Sequence, residues 1–220
     1  ADEAGTTAGP DYKFGWGVLN ILKSVELMKR NKYVNNTTIQ EINYNGTEQT
    51  ILIKNADPQV PLVVTAVWTD PPSPIYNQTP YKNTVDATNK ALVNDIDIKI
   101  EQGATTHYPW KLSVSNPGNA ATNIARNDVD NVEQIRINNP SGNYTLKLYH
   151  TGNLYQSKNQ PVSLIISYAK KPTISIPGNP NTASATHTLS GTSQSNTTVN
   201  IFVNNTLNNS IKSAANGTWS

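Results

Sequence analysis

The alternation of apolar and polar positions is clearest at residues 92–100. Leu92, Ile96, Ile98 and Ile100 share one side there with Asn94, while Val93, Asp95, Asp97 and Lys99 share the other. That is the period of a β-strand, with one side asking for a core and the other carrying charge. Similar alternations predict strands over residues 37–42, 49–54, 62–68, 134–137, 144–149 and 162–168, at the spacing of a β-sandwich. The period turns helical over residues 18–30, where Val18, Ile21, Leu22, Val25 and Met28 recur at helical spacing. Asn20 is placed to cap that helix, and Lys29 and Arg30 suit its C-terminal end. Beyond residue 170, shorter alternations over 173–176, 187–192, 198–203 and 217–219 predict the first strands of a second β unit.

Composition agrees with a mainly β chain: Asn, Thr, Ser, Tyr and Pro abound, and charges are few. Lys and Arg number 17 against 15 Asp and Glu, a formal charge of +2, and the basic residues are scattered. No field of that kind points to nucleic acid or an acidic membrane surface. With no cysteine there is no disulfide framework, thiolate metal site or cysteine nucleophile. The longest apolar run, residues 60–68, is too short to span a bilayer. The first residues carry neither an initiator Met nor a signal peptide, and residues 216–220 read as the middle of a strand, so a fragment cut at both ends is expected. Several Asn-x-Thr/Ser sequences are expected by chance in a chain this rich in Asn and Thr, and no glycan is assigned.

Several motifs fall in a recognisable order. A strand ends in Trp68-Thr69-Asp70-Pro71-Pro72; next come Leu92-Val93-Asn94-Asp95-Ile96-Asp97, then Asn131-Val132-Glu133, then Pro140-Ser141-Gly142-Asn143-Tyr144-Thr145. This order resembles the β-sandwich that follows the catalytic domain in alkaline, subtilisin-like serine proteases of bacteria. Gly9-Pro10-Asp11-Tyr12, Gly15-Trp16-Gly17 and Asn20, with the helix after them, resemble the end of the subtilisin catalytic domain itself. Leu189-Ser190-Gly191-Thr192, residues 199–203 and Asn216-Gly217-Thr218-Trp219 resemble bacterial Ig-like repeats. The resemblance implies three parts: residues 1–32, the end of a catalytic domain; residues 33–170, a jelly-roll sandwich similar to the P domain of proprotein convertases; and residues 171–220, a partial Ig-like domain. It further implies a secreted or cell-surface bacterial protein whose partners are an upstream catalytic domain of the same polypeptide and a polypeptide substrate.

The chemistry within the chain is sparse. Gly191-Thr192-Ser193 matches the subtilisin nucleophile triplet, but it leads into a strand rather than a buried helix, so Ser193 is read as a decoy. His107, His150 and His187 lack the surroundings that subtilisin bases have. No catalytic residue is assigned, and the chain alone is expected to be inert.

The carboxylates carry more. Asp95 and Asp97 stand roughly 7 Å apart on one side of a strand, so a cation or hydrogen-bond donor must answer them if that side is buried. Asp70, Asp95, Asp97, Asp128, Asp130 and Glu133, with Asn94, Asn127 and Asn131, are hard oxygen donors of the kind Ca²⁺ takes. Solvated acids and Asx turns account for the same residues equally well. A carbohydrate-binding module remains the alternative, with Trp110, Tyr108, Tyr76 and Tyr81 as an aromatic platform, and an adhesin-like scaffold is a third reading.

Overall fold

The computed structural model describes residues 8–33, 38–73, 90–169, 173–175, 188–204 and 206–220. Eight strands make the first unit: β1 (Ile39–Tyr44), β2 (Gln49–Ala56), β3 (Leu62–Val67), β4 (Asp95–Gln102), β5 (Thr105–His107), β6 (Val132–Ile137), β7 (Gly142–Thr151) and β8 (Gln160–Ser167). They form two four-stranded antiparallel sheets, ordered β1-β8-β3-β6 and β2-β7-β4-β5. Strands from opposite ends of the unit lie side by side, and this interleaving is the jelly roll, two Greek keys closed on each other.

The alternation seen in the sequence builds the space between the sheets. Leu62, Val64 and Ala66 of β3, Ile96, Ile98 and Ile100 of β4, Leu146 and Leu148 of β7, and Val162 and Leu164 of β8 are wholly buried there. Ile98 pairs with Leu148 and Ile100 with Leu146 across the sheet. A slip of one residue would exchange this row for Asp97 and Lys99, so the pattern itself fixes the register.

β4 starts three residues later than the alternation predicts. The Asp70 carboxylate accepts the Val93 N–H at 2.7 Å and the Asn94 N–H at 2.9 Å, and these donors are spent on a side chain instead of a ladder. Asn94 still faces inward, where its amide donates to Gln160 Oε1 at 2.7 Å and its oxygen accepts the Tyr155 N–H at 2.7 Å. β5 has no apolar alternation and forms because the chain doubles back on Ile100–Gln102.

The helix α1 (Ile21–Tyr33) is capped as predicted, Asn20 Oδ1 accepting the Lys23 N–H at 2.9 Å. Ile21, Leu22, Val25 and Met28 are exposed, Leu22 to 69% and Met28 to 61%. Arg30 donates to the Tyr168 carbonyl at 3.0 Å, and Asn31 accepts the Ile39 N–H at 2.9 Å, so its C-terminal end is tied to the sandwich.

Residues 8–17 are less detached than an orphaned segment should be. Pro10 is buried, and Gly9, at φ 90°, lies so close to Trp110 that a Cβ there would stand 2.9 Å from the indole ring. We expect Gly9→Ala to cost about 1–3 kcal/mol through the strained backbone and the clash. Faster protease cleavage at Lys13, with the sandwich intact, is the readout; an unchanged rate would show that the contact does not hold the segment.

The remaining strands are described on their own. β9 (Thr173–Ser175), β10 (Ser190–Thr192) and β13 (Thr218–Trp219) form a sheet in the order β13-β10-β9, and β11 (Thr198–Val203) pairs with β12 (Thr206–Lys212). Gly191 has no room for a side chain: a Cβ would meet the Thr173 carbonyl at 1.9 Å and the Trp219 ring at 2.6 Å. That close approach lets Trp219 bury itself over β10.

Candidate functional site

Residues 108–131 run from β5 to β6 and are anchored to both sheets. The Trp110 N–H donates to Gln134 O of β6 at 2.9 Å, and Lys111 and Thr122 exchange backbone hydrogen bonds that close a small loop. Arg126, near the end of this segment, reaches β4.

Asp97 projects from β4 opposite Ile96 and Ile98, yet it is wholly buried. Arg126 is the cation that answers it. Its Nη1 lies 2.8 Å from Asp95 Oδ2 and 3.4 Å from Asp97 Oδ2, and the Thr151 hydroxyl donates to Asp97 Oδ2 at 3.0 Å. The second oxygens of both aspartates, Asp95 Oδ1 and Asp97 Oδ1, are buried without a partner. Burial pushes the Asp97 pKa up to about 6; the Asp95 charge adds to the rise, while Thr151 and Arg126 oppose it.

Glu133 faces inward at the start of β6, on the side of Ile135 and Ile137, and is wholly buried with neither carboxylate oxygen hydrogen-bonded. Burial, then the charges of Asp97 and Asp130, push its pKa well above the ordinary glutamate value. The Ile98 N–H and the Asn127 amide oppose that rise without reaching hydrogen-bond geometry. For Asp97 and Glu133 the solvated-acid alternative is thus excluded.

The other acids have protein partners. Asp130 Oδ1 accepts the Val132 N–H at 3.0 Å and the Asn127 amide at 3.1 Å, an Asx turn of the kind expected. Buried Asn127 also accepts the Val129 N–H at 3.2 Å, and Asn131 donates to the Trp68 carbonyl. Asp128 pairs with Lys90 and Lys111; although burial pushes its pKa up, the two ammonium groups hold it at about 2. Asp70 accepts the Val93 and Asn94 N–H groups and, through Oδ1, the Trp68 indole N–H at 3.1 Å.

The six acids read as one ligand set therefore divide. Asp95, Asp97 and Glu133 are coupled by charge and carry orphaned oxygens, with Asp130 beside them, while Asp70 and Asp128 are engaged elsewhere. The oxygen chemistry suits Ca²⁺, but the arrangement does not. Among the described residues, no three or more His, Cys, Asp or Glu form a group that could hold a metal ion. Arg126 was the residue to notice in the sequence, a lone base in Arg126-Asn127-Asp128-Val129-Asp130, and nothing in the spacing placed it against residues 95 and 97.

Ser193 is buried, and its hydroxyl donates to the Gln194 carbonyl at 3.1 Å; among the described residues no histidine hydrogen-bonds to it. His150 Nδ1 lies 2.9 Å from the Tyr44 hydroxyl, and burial lowers the pKa of His107. Of the aromatic platform, Trp110 and Tyr108 are partly buried, Trp110 against Gly9, while Tyr76 and Tyr81 fall outside the described residues, as does His187. Among the described residues no helix is long and apolar enough to cross a membrane. Neither protein-family models nor curated proteins match the chain.

Proposed function

We propose that the chain is a non-catalytic accessory region of a secreted or cell-surface, subtilisin-like serine endopeptidase of a bacterium. In this reading the jelly roll stabilises the protease or assists its binding of polypeptide substrate, with an upstream catalytic domain of the same polypeptide as the partner. The observation that carries it is the junction at the N-terminal side. The segment resembling the end of a protease domain is packed onto the jelly roll through Gly9 and Trp110, and α1 beside it holds Ile21, Leu22 and Met28 out to solvent. Side chains of that kind, arranged on one helix, suit burial against a larger body.

A fluorophosphonate probe, which labels activated serines, tests the reading together with casein hydrolysis. The 220-residue chain should be neither labelled nor active, because among the described residues no nucleophile, base and oxyanion hole are in register. The product of a longer reading frame that includes the upstream coding sequence should be labelled and active. Labelling of the short chain that Ser193→Ala abolishes would overturn the proposal, and so would a longer product that the probe never labels.

A further inference from the structure

The segment between β5 and β6 frames a cavity of about 350 Å³, lined by Lys90, Lys111 and Asp128 together with the aliphatic side chains of Leu112, Val114 and Val129. The backbone bonds between Lys111 and Thr122, at 2.7 and 2.9 Å, hold its wall in place. Two ammonium groups meet a single carboxylate here, Lys90 at Asp128 Oδ2 and Lys111 at Asp128 Oδ1, and one positive charge is left over. Each ammonium carries three N–H donors, so both have donors to spare. Arg126 spends its charge elsewhere, 2.8 Å from Asp95, and stands 3.9 Å from Asp128. The Asp128 pKa of about 2, reached although burial pushes the other way, measures the field of these cations. A second carboxylate entering the cavity meets the same field.

A ligand suited to this cavity joins one negative charge to an apolar body. The single surplus charge matches a carboxylate better than a dianionic phosphate, and Leu112, Val114 and Val129 offer apolar surface to the rest of the molecule. Both cations are within reach of solvent, the Lys90 side chain being 54% exposed and that of Lys111 33%. We propose that the cavity binds the carboxylate end of a polypeptide whose last residue is aliphatic, with Lys90 and Lys111 donating to the carboxylate. At a chain end the carboxylate and the side chain leave the same Cα, which brings charge and apolar group into one small cavity. An internal aspartate or glutamate puts no aliphatic side chain beside its own carboxylate. Such chain ends are what an endopeptidase makes at each cut, so the inference rests on the protease reading for the source of the ligand. Its chemistry rests on the cavity alone.

The test is an NMR titration of the full 220-residue chain with the peptide N-acetyl-Ala-Ala-Leu, its C-terminal amide, and N-acetyl-Ala-Glu-Ala amide. The free acid should bind about tenfold tighter than either amide, the worth of a charge-assisted hydrogen bond, and should move the methyl signals of Leu112, Val114 and Val129. Lys90→Met, at an exposed position with little bearing on folding, should erase the preference for the acid. Asp128→Asn removes the competing carboxylate and should tighten the acid by about threefold or more, whereas an Asp128 that merely holds the lysines in place would leave binding unchanged or weaker. Equal binding of acid and amide by wild type, shifts confined to other parts of the chain, or an Asp128→Asn variant that folds and binds no tighter would overturn the proposal. A glutamate peptide that binds as well as the free acid would end the assignment to chain ends. None of these results touches the fluorophosphonate labelling, which decides the protease reading separately.

Discussion

Asp70→Ala will destabilise the jelly roll by about 3–5 kcal/mol, without reference to any metal. One carboxylate accepts three hydrogen bonds, from the Val93 and Asn94 backbone and from the Trp68 indole. Hydrogen bonds to a charged group contribute about 1.5–3 kcal/mol each, and donors left buried and unpaired add to the loss. The sum is less than three full bonds because water reaches part of the site. Trp68 is itself buried, so its fluorescence reports the unfolding directly in a urea titration. Asp70→Asn, which retains an acceptor oxygen, should cost markedly less than the alanine variant. A loss below about 1 kcal/mol for Asp70→Ala would mean that the bend before β4 is held by something else. A loss that appears only when Ca²⁺ is present would return Asp70 to the ligands.

The fold was legible in the sequence because two-residue periodicity and burial coincide almost everywhere in the jelly roll. Residues 144–149 illustrate it: Tyr144, Leu146 and Leu148 were set apart from their neighbours by sequence alone, and they are the buried residues of β7. What was not legible depended on pairing. β5 has the sequence Thr-Thr-His, and it is a strand only because β4 lies next to it. β12 was missed for a related reason. Polar Asn208, Asn209 and Ser210 separate its two apolar residues, Leu207 and Ile211, and β11 alone supplies the ladder. The start of β4 was misplaced because alternation continues through residues 92–94 while the Val93 and Asn94 N–H groups go to Asp70, 23 and 24 residues away in the chain.

The carboxylates of the candidate site could be seen in the sequence, but their sorting could not. A strand places Asp95 and Asp97 on one side, which made the need for a cation visible. The identity of that cation depended on a loop between β5 and β6 whose path no local pattern encodes. The same holds for Thr151, which reaches Asp97 because β7 is the neighbour of β4. Glu133 carries a further lesson. It occupies an inward position in a strand that otherwise alternates cleanly, Glu133, Ile135, Ile137, so an acid in a row of apolar residues was the signal of a buried carboxyl.

Raising the pH from about 4 to 8 will weaken this protein, the reverse of the common carboxylate behaviour. Asp97 has a folded pKa of about 6 against 3.8 when unfolded, so between those values the folded state holds more protons than the unfolded chain. Stability therefore falls as pH rises through that window, by up to about 3 kcal/mol at 1.36 kcal/mol per pKa unit. Glu133, raised well above its ordinary value, extends the decline to higher pH. Asp128 works in the opposite sense: with a folded pKa of about 2, the stability it contributes is lost only as pH falls from about 4 toward 2. The two trends place the stability maximum near pH 4–5, and urea unfolding at half-unit pH steps without divalent cations will locate it. Glu133→Gln should match wild type at pH 5 and be more stable at pH 9, where the wild-type carboxyl is forced to ionise without a donor. A curve that stays flat or climbs between pH 4.5 and 7.5, and a glutamine variant that gains nothing at pH 9, would show that Arg126 already neutralises the cluster.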